Sequence, residues 1–270
     1  MRTNYLSLFL FALSLLLANP LLALSPKEII VKSDQVDDGD TSISEMTMIL
    51  IDKKGQKRVR KIKGFRKDYG EDSKNISFFM SPADVRNTAF LSFDYDDDAK
   101  EDDNWLYLPA LRKVKRIASG NKKDSFMGSD FTYHDMNGLK IEEWDYQMVR
   151  ESAKVDGADC WVIGAMPKKA IAKKVISDTG YTKRVVWVRK DNFVTIQGKV
   201  WVKKGKKIKV MKAEGLKKIQ GIWTNETITM TTQDRKGRRT HATVLQFEKM
   251  KYNEGVKDNL FTTQRMEKGL

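Results

Sequence analysis

The chain offers few residues that could do covalent chemistry. Its 270 residues include two histidines, His134 and His241. His134 precedes Asp135 and follows Ser125 and Ser129, residue types that could form a nucleophilic set. Neighbours in one loop seldom reach the required geometry, so we expect His134 to pack within that loop. The sequence has no metal-binding or nucleophile motif and no phosphate-binding glycine loop, and it predicts no catalytic residue, no metal and no cofactor.

An acidic decapeptide, DYDDDAKEDD, begins at Asp94 and could bind calcium. Its first, third and fifth residues have the spacing of the first three ligands of an EF-hand loop. The sixth position is Ala99, where the sharp turn requires glycine, and the twelfth is Trp105, where a bidentate glutamate belongs. The sequence therefore favours a solvated hairpin loop.

Residues 105–117 predict two consecutive strands. From Trp105 to Pro109 apolar side chains lie on both faces, which must both be covered, and the proline ends the ladder. The strand from Leu111 to Ile117 carries charged residues on both faces, with charged ends in water, which suits an edge strand. The cations that we predict to contact a lipid head group or a docking partner are Arg112, Lys113, Lys115 and Arg116.

The next segment, FMGSDF, predicts a turn between two aromatic residues. Gly128 permits a positive φ, and Ser129 or Asp130 can cap a following short helix. We expect a buried loop that packs over the mouth of the sheet and can move when a ligand leaves. The residues of this predicted lid are Phe126, Met127, Gly128, Ser129, Asp130 and Phe131.

These two stretches carry a family resemblance. WLYLPALRKVKRI followed by SFMGSDFTYHDM resembles the signature of the outer-membrane lipoprotein-sorting protein family, LolA-like periplasmic proteins often associated with lipid exporters of the RND type. SEMTMILIDKKGQKRVRKIKGF, ISFFMSPADVRNTAFL and DNLFTTQRMEKG extend the likeness over nearly the whole mature chain. His134 departs from the pattern, because family members commonly have an acidic residue there. The resemblance implies a strongly curved, incomplete β-barrel that is closed by a few short helices around an apolar cavity.

The N terminus predicts export. Arg2 precedes an apolar core and a run of small residues up to Ala23, which is the plan of a cleaved secretory signal peptide. We expect a signal peptide over residues 1–23 and one LolA-like lipoprotein-sorting domain over residues 24–270, located in the periplasm. The only cysteine, Cys160, lies far from the cleavage region, so the sequence predicts neither a lipoprotein nor an internal disulfide.

The mature chain predicts one mainly β domain. Short β-type segments recur from Ser42 to Tyr252, and no linker or repeat divides them. Residues 25–28, Ser-Pro-Lys-Glu, predict the start of a short helix. A single antiparallel sheet of this length must curl to bury its apolar face, and a helix in the concavity would complete the core. Strands are expected at 43–51, 57–66, 75–80, 88–95, 104–109, 111–118, 142–151, 158–166, 181–190, 193–203, 206–213, 219–232 and 238–251.

Methionine and aromatic residues recur along these predicted strands. Methionine adapts to variable apolar shapes, although the same side chains could fill an ordinary core. With the family resemblance, we interpret them as the wall of a lipid cavity. The wall residues chosen from the alternation are Met46, Met48, Phe78, Met80, Leu91, Phe93, Trp105 and Tyr107.

The formal net charge is +14, and loss of a signal peptide with Arg2 as its charged side chain leaves +13. Lysines cluster at residues 168–174 and 203–209. For an exported protein, lipid head groups are the available polyanions, although lysines also protect sheet edges and keep a β protein soluble. Nucleic-acid binding is not expected, because the signal peptide directs the chain away from it and no nucleic-acid-binding motif is present.

Two functions remain open at this point. The first is a periplasmic carrier that binds a lipid or lipoprotein acyl chain and passes it between membrane components, with an RND-type exporter and an anionic membrane surface as partners. The alternative is a non-carrying accessory module that docks on a transporter or on an anionic membrane through its basic face. The two differ in whether the sheet encloses a ligand-sized apolar cavity.

Overall fold

The computed structural model describes residues 23–97, 99–138 and 140–270. Residues 1–22 of the predicted signal peptide therefore lie outside the described residues. Within the described residues the chain forms three α-helices and fifteen β-strands. The helices are α1 (Pro26–Asp34), α2 (Ala172–Thr179) and α3 (Thr263–Lys268). The strands are β1 (Thr41–Ile51), β2 (Lys57–Tyr69), β3 (Asp72–Ser81), β4 (Ala89–Asp94), β5 (Asp103–Leu108), β6 (Lys113–Arg116), β7 (Trp144–Val155), β8 (Ala158–Pro167), β9 (Tyr181–Arg189), β10 (Thr195–Val202), β11 (Ile208–Glu214), β12 (Lys217–Ile219), β13 (Ile222–Thr224), β14 (Thr227–Gln233) and β15 (Arg239–Tyr252).

Thirteen of the strands in the described residues form one antiparallel sheet, in the order β6-β5-β4-β3-β2-β1-β15-β14-β11-β10-β9-β8-β7. The sheet does not close, because β6 and β7 are its two edges. C-terminal β15 lies at the centre, where it joins a first arm, β1 to β6, to a second arm made of β7 to β11 and β14. The prediction of a mainly β fold with a single antiparallel sheet, an incomplete barrel and a few short helices is confirmed.

The sheet has two faces, and each is covered by different parts of the chain. We call the face that holds α1 the inner face, since Ile30 of α1 packs with Ile163 and Val188 of the second arm. The opposite, outer face of the first arm is covered by the C-terminal segment, because Met266 of α3 packs with Phe78. This arrangement explains why the WLYLP strand is apolar on both sides.

Local signals explain two of the element boundaries. The Ser25 side chain accepts a hydrogen bond from the backbone of Glu28, whose side chain accepts one from the backbone of Ser25, and Pro26 fills the first turn of α1. The predicted helix start is therefore confirmed. The predicted edge strand is also found as β6, but it begins at Lys113 because Arg112 has a left-handed φ of 45°.

Two parts of the chain differ from the prediction. The single strand expected over 219–232 is three elements, because Gln220 and Gly221 both have positive φ and turn β12 back onto β13. The lysine-rich segment 168–174, expected at a strand end or hairpin tip, leads into α2, and Gly180 follows the last residue of this helix. Its N-terminal residue, Ile171, makes no side-chain cap, so the sequence carries no start signal for this helix.

Candidate functional site

The inner face of the first arm is filled by the predicted lid loop. Phe126 packs against Phe90 and Phe79, with ring centroids 5.1 and 6.1 Å apart, and Tyr133 packs beside it at 5.6 Å. Met48 belongs to the same buried cluster, which we call the inner cluster. The inner cluster consists of Met48, Leu50, Ile62, Phe79, Val85, Phe90, Leu106, Ile117, Phe126, Phe131, Tyr133, Met230 and Leu245. This arm is therefore a packed core.

Asp130 anchors the loop to the middle of the sheet. Its carboxylate accepts hydrogen bonds from the hydroxyl groups of Thr243, at 2.8 Å, and Thr232, and lies 2.6 Å from Nδ1 of His241. Its backbone N–H donates to the Thr243 hydroxyl at 2.9 Å. The loop is buried as predicted, whereas its role as a lid stays a prediction.

The following short helix, His134–Met136, begins after Tyr133 and is not capped by the predicted Ser129 or Asp130. The backbone N–H of Asp135 donates to the Thr132 hydroxyl at 3.1 Å, and the Thr132 N–H donates to the Asp135 carboxylate at 2.8 Å. Asp130 is turned toward the sheet instead, because two threonines and a histidine lie within reach there.

The second arm holds a cavity of about 330 Å³ between α1 and the inner faces of β9, β10, β11 and β14. We call it the second-arm cavity. Gly198 leaves room on its floor, because a Cβ there would lie 3.5 Å from Cε of Met211, at ordinary contact distance. The apolar residues that line the cavity are Ile30, Val186, Val200, Met211 and Met230.

One end of the second-arm cavity is polar. The hydroxyl of Tyr181 donates to the Asp135 carboxylate at 2.7 Å, and Nζ of Lys209 lies 3.3 Å from the same hydroxyl oxygen. Burial raises the pKa of Tyr181 well above its ordinary value and lowers the pKa of Lys209. Arg184 also lines this end. The cavity thus combines an apolar body with a polar end that holds Arg184, Lys209 and the Asp135 carboxylate.

An acidic opening of about 700 Å³ lies beside α1, near the join of β4 and β5. Burial, followed by the charge of Asp102, raises the pKa of Asp94 to about 6. Lys140 lies 3.2 Å from Asp102, and Asp102 is buried. The predicted hairpin is present, but it is not simply solvated, because Asp94 and Asp102 turn inward toward Lys140.

The structure separates the predicted wall residues. Met46 and Met48 lie on the inner face, in or against the inner cluster. Met80 lies at a register shift between β2 and β3 and is 43% exposed. The remaining five lie together on the outer face beneath the C-terminal segment: Phe78, Leu91, Phe93, Trp105 and Tyr107. Alternation grouped Phe78 with Met80, which the register shift leaves exposed, and it could not show that the sheet has apolar residues on both faces.

The predicted head-group residues lie on or next to the edge strand β6. Lys113 and Lys115 are exposed, Arg112 is in the preceding turn, and Arg116 forms an ion pair with Asp103. None of them lines the second-arm cavity. Their role in contacting a membrane or a partner stays a prediction.

The structure does not assemble a nucleophilic set from the residues around His134. The Ser125 hydroxyl donates to the backbone carbonyl of Ser129, and Asp135 binds Tyr181. Burial lowers the pKa of His134 to about 4, so its imidazole is neutral at pH 7. His134 is part of the loop packing, as expected.

Sequence reasoning missed the residues that shape the second-arm cavity. Met211 and Met230 stood out only as methionines within predicted strands, and Gly198 and Val200 carried no distinguishing signal. The available signal was alternation in β10, where Gly198 and Val200 share a face. Cross-strand register then joins Gly198 to Met211 and Met211 to Met230.

Comparison with solved structures agrees with this architecture. A DUF1329 family protein from Desulfovibrio piger is 30% identical with a TM-score of 0.79, covering 90% of this chain and 100% of that chain. An outer membrane lipoprotein-sorting protein domain from Vibrio parahaemolyticus is 29% identical with a TM-score of 0.77, covering 90% and 98%. A LolA superfamily protein from Nitrosomonas europaea, 19% identical, shares the fold with a TM-score of 0.65, covering 90% and 99%.

The fold is therefore LolA-like. A family model described as an uncharacterized protein matches residues 71–268. The chain belongs to this family, and its identity with the Desulfovibrio piger protein makes it a member of the DUF1329 family. No curated protein matches the chain. Within the described residues, no helix is both long and apolar enough to cross a membrane.

Proposed function

We propose that the protein is a periplasmic carrier that holds an acyl chain of a lipid or lipoprotein in the second-arm cavity. The observation that carries this proposal is the cavity itself, an apolar space of about 330 Å³ beneath a single helix. Small-molecule pockets begin at about 300 Å³. A buried methylene contributes about 0.8 kcal/mol, so eight of them contribute about 6 kcal/mol.

The similarity to a lipoprotein-sorting domain supports the same role. In this proposal the signal peptide is removed near Ala23, and residues 24–270 act as one domain in the periplasm. The carrier does no covalent chemistry. It receives its cargo from one membrane component and passes it to another, with an RND-type exporter and an anionic membrane surface as partners.

The helix α1 is the element that opens the cavity. Its Ile30 lines the cavity, while its Ser33 hydroxyl lies 3.0 Å from the Thr195 hydroxyl and its Lys27 pairs with Glu142. Those polar contacts are few and partly exposed, so they can break at small cost. The lid loop is less suited to movement, because the Asp130 carboxylate is bound by Thr232, Thr243 and His241 of the sheet.

A substitution at Gly198 tests the proposal directly. Its φ lies outside the left-handed region and a Cβ there meets nothing closer than 3.5 Å, so the backbone accepts a side chain. Gly198→Leu fills the cavity, whereas Gly198→Ala leaves most of it open. We expect the leucine variant to bind an uncharged fluorescent acyl probe at least about tenfold more weakly than wild type.

The alanine variant is the matched control and should bind the probe nearly as well as wild type. Circular dichroism and thermal unfolding establish that both variants fold. If wild type does not bind the probe, or if the leucine variant binds it equally well, the carrier proposal fails. The alternative hypothesis, a non-carrying accessory module, would then be favoured.

A further inference from the structure

A second, larger cleft of about 1100 Å³ lies between α2, the β10–β11 hairpin tip and the segment 123–132. We call it the basic cleft. Six lysines from three separate parts of the chain converge on it, which a single charged run on a solvated surface would not produce. They are Lys123, Lys173, Lys203, Lys204, Lys207 and Lys209.

These six cations lack carboxylate partners. Within the described residues, none of them belongs to a salt bridge. Two acids line the cleft, Asp124 and Asp130, and the carboxylate of Asp130 is already bound by Thr232, Thr243 and His241. The cleft therefore has a large excess of positive charge, which suits a ligand with more than one negative charge.

The basic cleft adjoins the second-arm cavity. Lys209 lines both spaces. On β10, Val200 lines the cavity and Val202 lines the cleft, while on β14 the corresponding pair is Met230 and Thr232. Residues two apart on a strand share a face and are separated by about 7 Å. Along two strands, the residues that line the cavity and the cleft are thus about 7 Å apart on the same face.

We propose that the basic cleft binds the phosphate of an anionic lipid whose acyl chain occupies the second-arm cavity. This inference rests on the proposed carrier function and adds the chemical class of the cargo. An apolar space that adjoins unpaired lysines matches an amphiphile with an anionic head. Lys209 at the junction would lie next to the first negatively charged group of the ligand.

The head-group assignment differs from the one that the sequence favoured. The cations of β6 and its preceding turn lie on the first arm, whose inner face is packed, and they line neither the second-arm cavity nor the basic cleft. The lysines of the β10–β11 tip were visible in the sequence as a cluster. Their position next to an apolar cavity depends on the pairing of β10, β11 and β14.

The test compares two lipids with identical acyl chains, phosphatidate and phosphatidylcholine, in competition with the uncharged fluorescent acyl probe. The cleft variant is Lys203→Gln, Lys204→Gln and Lys207→Gln combined, since these side chains are exposed at a hairpin tip. The matched control removes the same charge from the β1–β2 tip through Lys53→Gln, Lys54→Gln and Lys57→Gln, whose side chains are also exposed.

We expect wild type to bind phosphatidate at least about tenfold more tightly than phosphatidylcholine, and the cleft variant to lose this preference. The control variant should keep it, and all three proteins should bind the uncharged probe equally. Added salt should weaken phosphatidate binding in wild type more than in the cleft variant.

Equal affinity of wild type for both lipids would overturn the inference, and so would an unchanged preference of the cleft variant for phosphatidate. In either case, binding of the uncharged probe would leave the carrier proposal intact. If wild type did not bind the uncharged probe, the carrier proposal itself would be overturned. A titration with inorganic phosphate separates the two sources of the anion. Binding of inorganic phosphate as tight as that of phosphatidate would make the cleft a site for the free anion and contradict a head-group role.

Discussion

Asp130 connects the aromatic loop of the first arm to the middle of the sheet. It joins the aromatic loop to β14 and β15 through side-chain hydrogen bonds in a buried position. Hydrogen bonds to a charged group contribute more than neutral ones, and losing a buried partner leaves the others unsatisfied.

We therefore expect Asp130→Ala to lower the free energy of unfolding by about 3 kcal/mol, measured by urea denaturation. Asp124→Ala is the control, because Asp124 is exposed in the same segment and belongs to no ion pair of the described residues. A loss below about 1 kcal/mol for Asp130→Ala would mean that the aromatic contacts hold the loop without it.

His134 gives the fold a dependence on acid. Its pKa is lowered by burial to about 4 in the folded chain, from an ordinary value of 6.5. Between these two pH values the unfolded chain binds a proton that the folded chain does not bind, so stability falls as the pH drops from 6.5 toward 4. Above pH 6.5 both forms are neutral and the contribution is complete.

The variant His134→Gln should lack this dependence. Because the raised pKa of Asp94, about 6, acts in the opposite direction over much of the same range, the informative quantity is the difference between wild type and variant. Unfolding free energies measured from pH 8 to pH 4 should show wild type losing stability relative to His134→Gln below pH 6.5. Parallel curves would show that the imidazole is not protected from protonation.

Residue roles were only partly predictable from the sequence. Gly128 was expected to adopt a positive φ and has one of 74°. Asp130 was expected to cap a helix, because a local pattern permits that role. Its partners at 232, 241 and 243 are more than a hundred positions away, and no local spacing indicates them.

At the scale of elements, α3 packs against the outer face of the first arm and covers it. Met266 is fully buried against the outer side of β3 and β4. We expect Met266→Ala to lower the free energy of unfolding by about 2–4 kcal/mol, because it leaves a cavity in a packed site. Glu267→Ala, an exposed neighbour in the same helix, should change stability by less than about 0.5 kcal/mol. Similar losses for both variants would contradict the role of Met266 burial, because alanine itself favours the helix.

The helix α1 can be fixed over the second-arm cavity by a covalent link. The Ser33 and Thr195 hydroxyl oxygens are 3.0 Å apart, so cysteines at both positions would place their sulfur atoms close together. In the proposed carrier, the oxidised Ser33→Cys, Thr195→Cys protein should take up the acyl probe at least about tenfold more slowly than after reduction. The two single variants are controls. Equal rates in the oxidised and reduced forms would show that the ligand enters without movement of α1.

Element prediction succeeded where the signal was local. The capping box of α1 and most strands were found from residue type and alternation. The helix α2 was missed because it has no N-terminal cap, and β12 to β14 were merged because the Gln220-Gly221 turn is short. Both errors occur where tertiary packing, and not local sequence, decides the backbone.

For the whole molecule, the decisive feature is that the two arms differ. The aromatic loop fills the inner face of the first arm, whereas the second arm keeps an apolar space under α1. Sequence alone predicted a cavity through the family resemblance and assigned its wall to the first arm. Alternation cannot tell a face covered by a C-terminal helix from a face that lines a cavity, because both require apolar side chains.

The most direct test of the carrier proposal is the native mass of the protein purified under mild conditions from its own periplasm, with analysis of the lipid extracted from it. We predict one acyl lipid bound to most wild-type molecules, and little or none bound to folded Gly198→Leu. A wild-type protein that carries no lipid, or a Gly198→Leu protein that carries as much as wild type, would contradict a carrier function for the second-arm cavity.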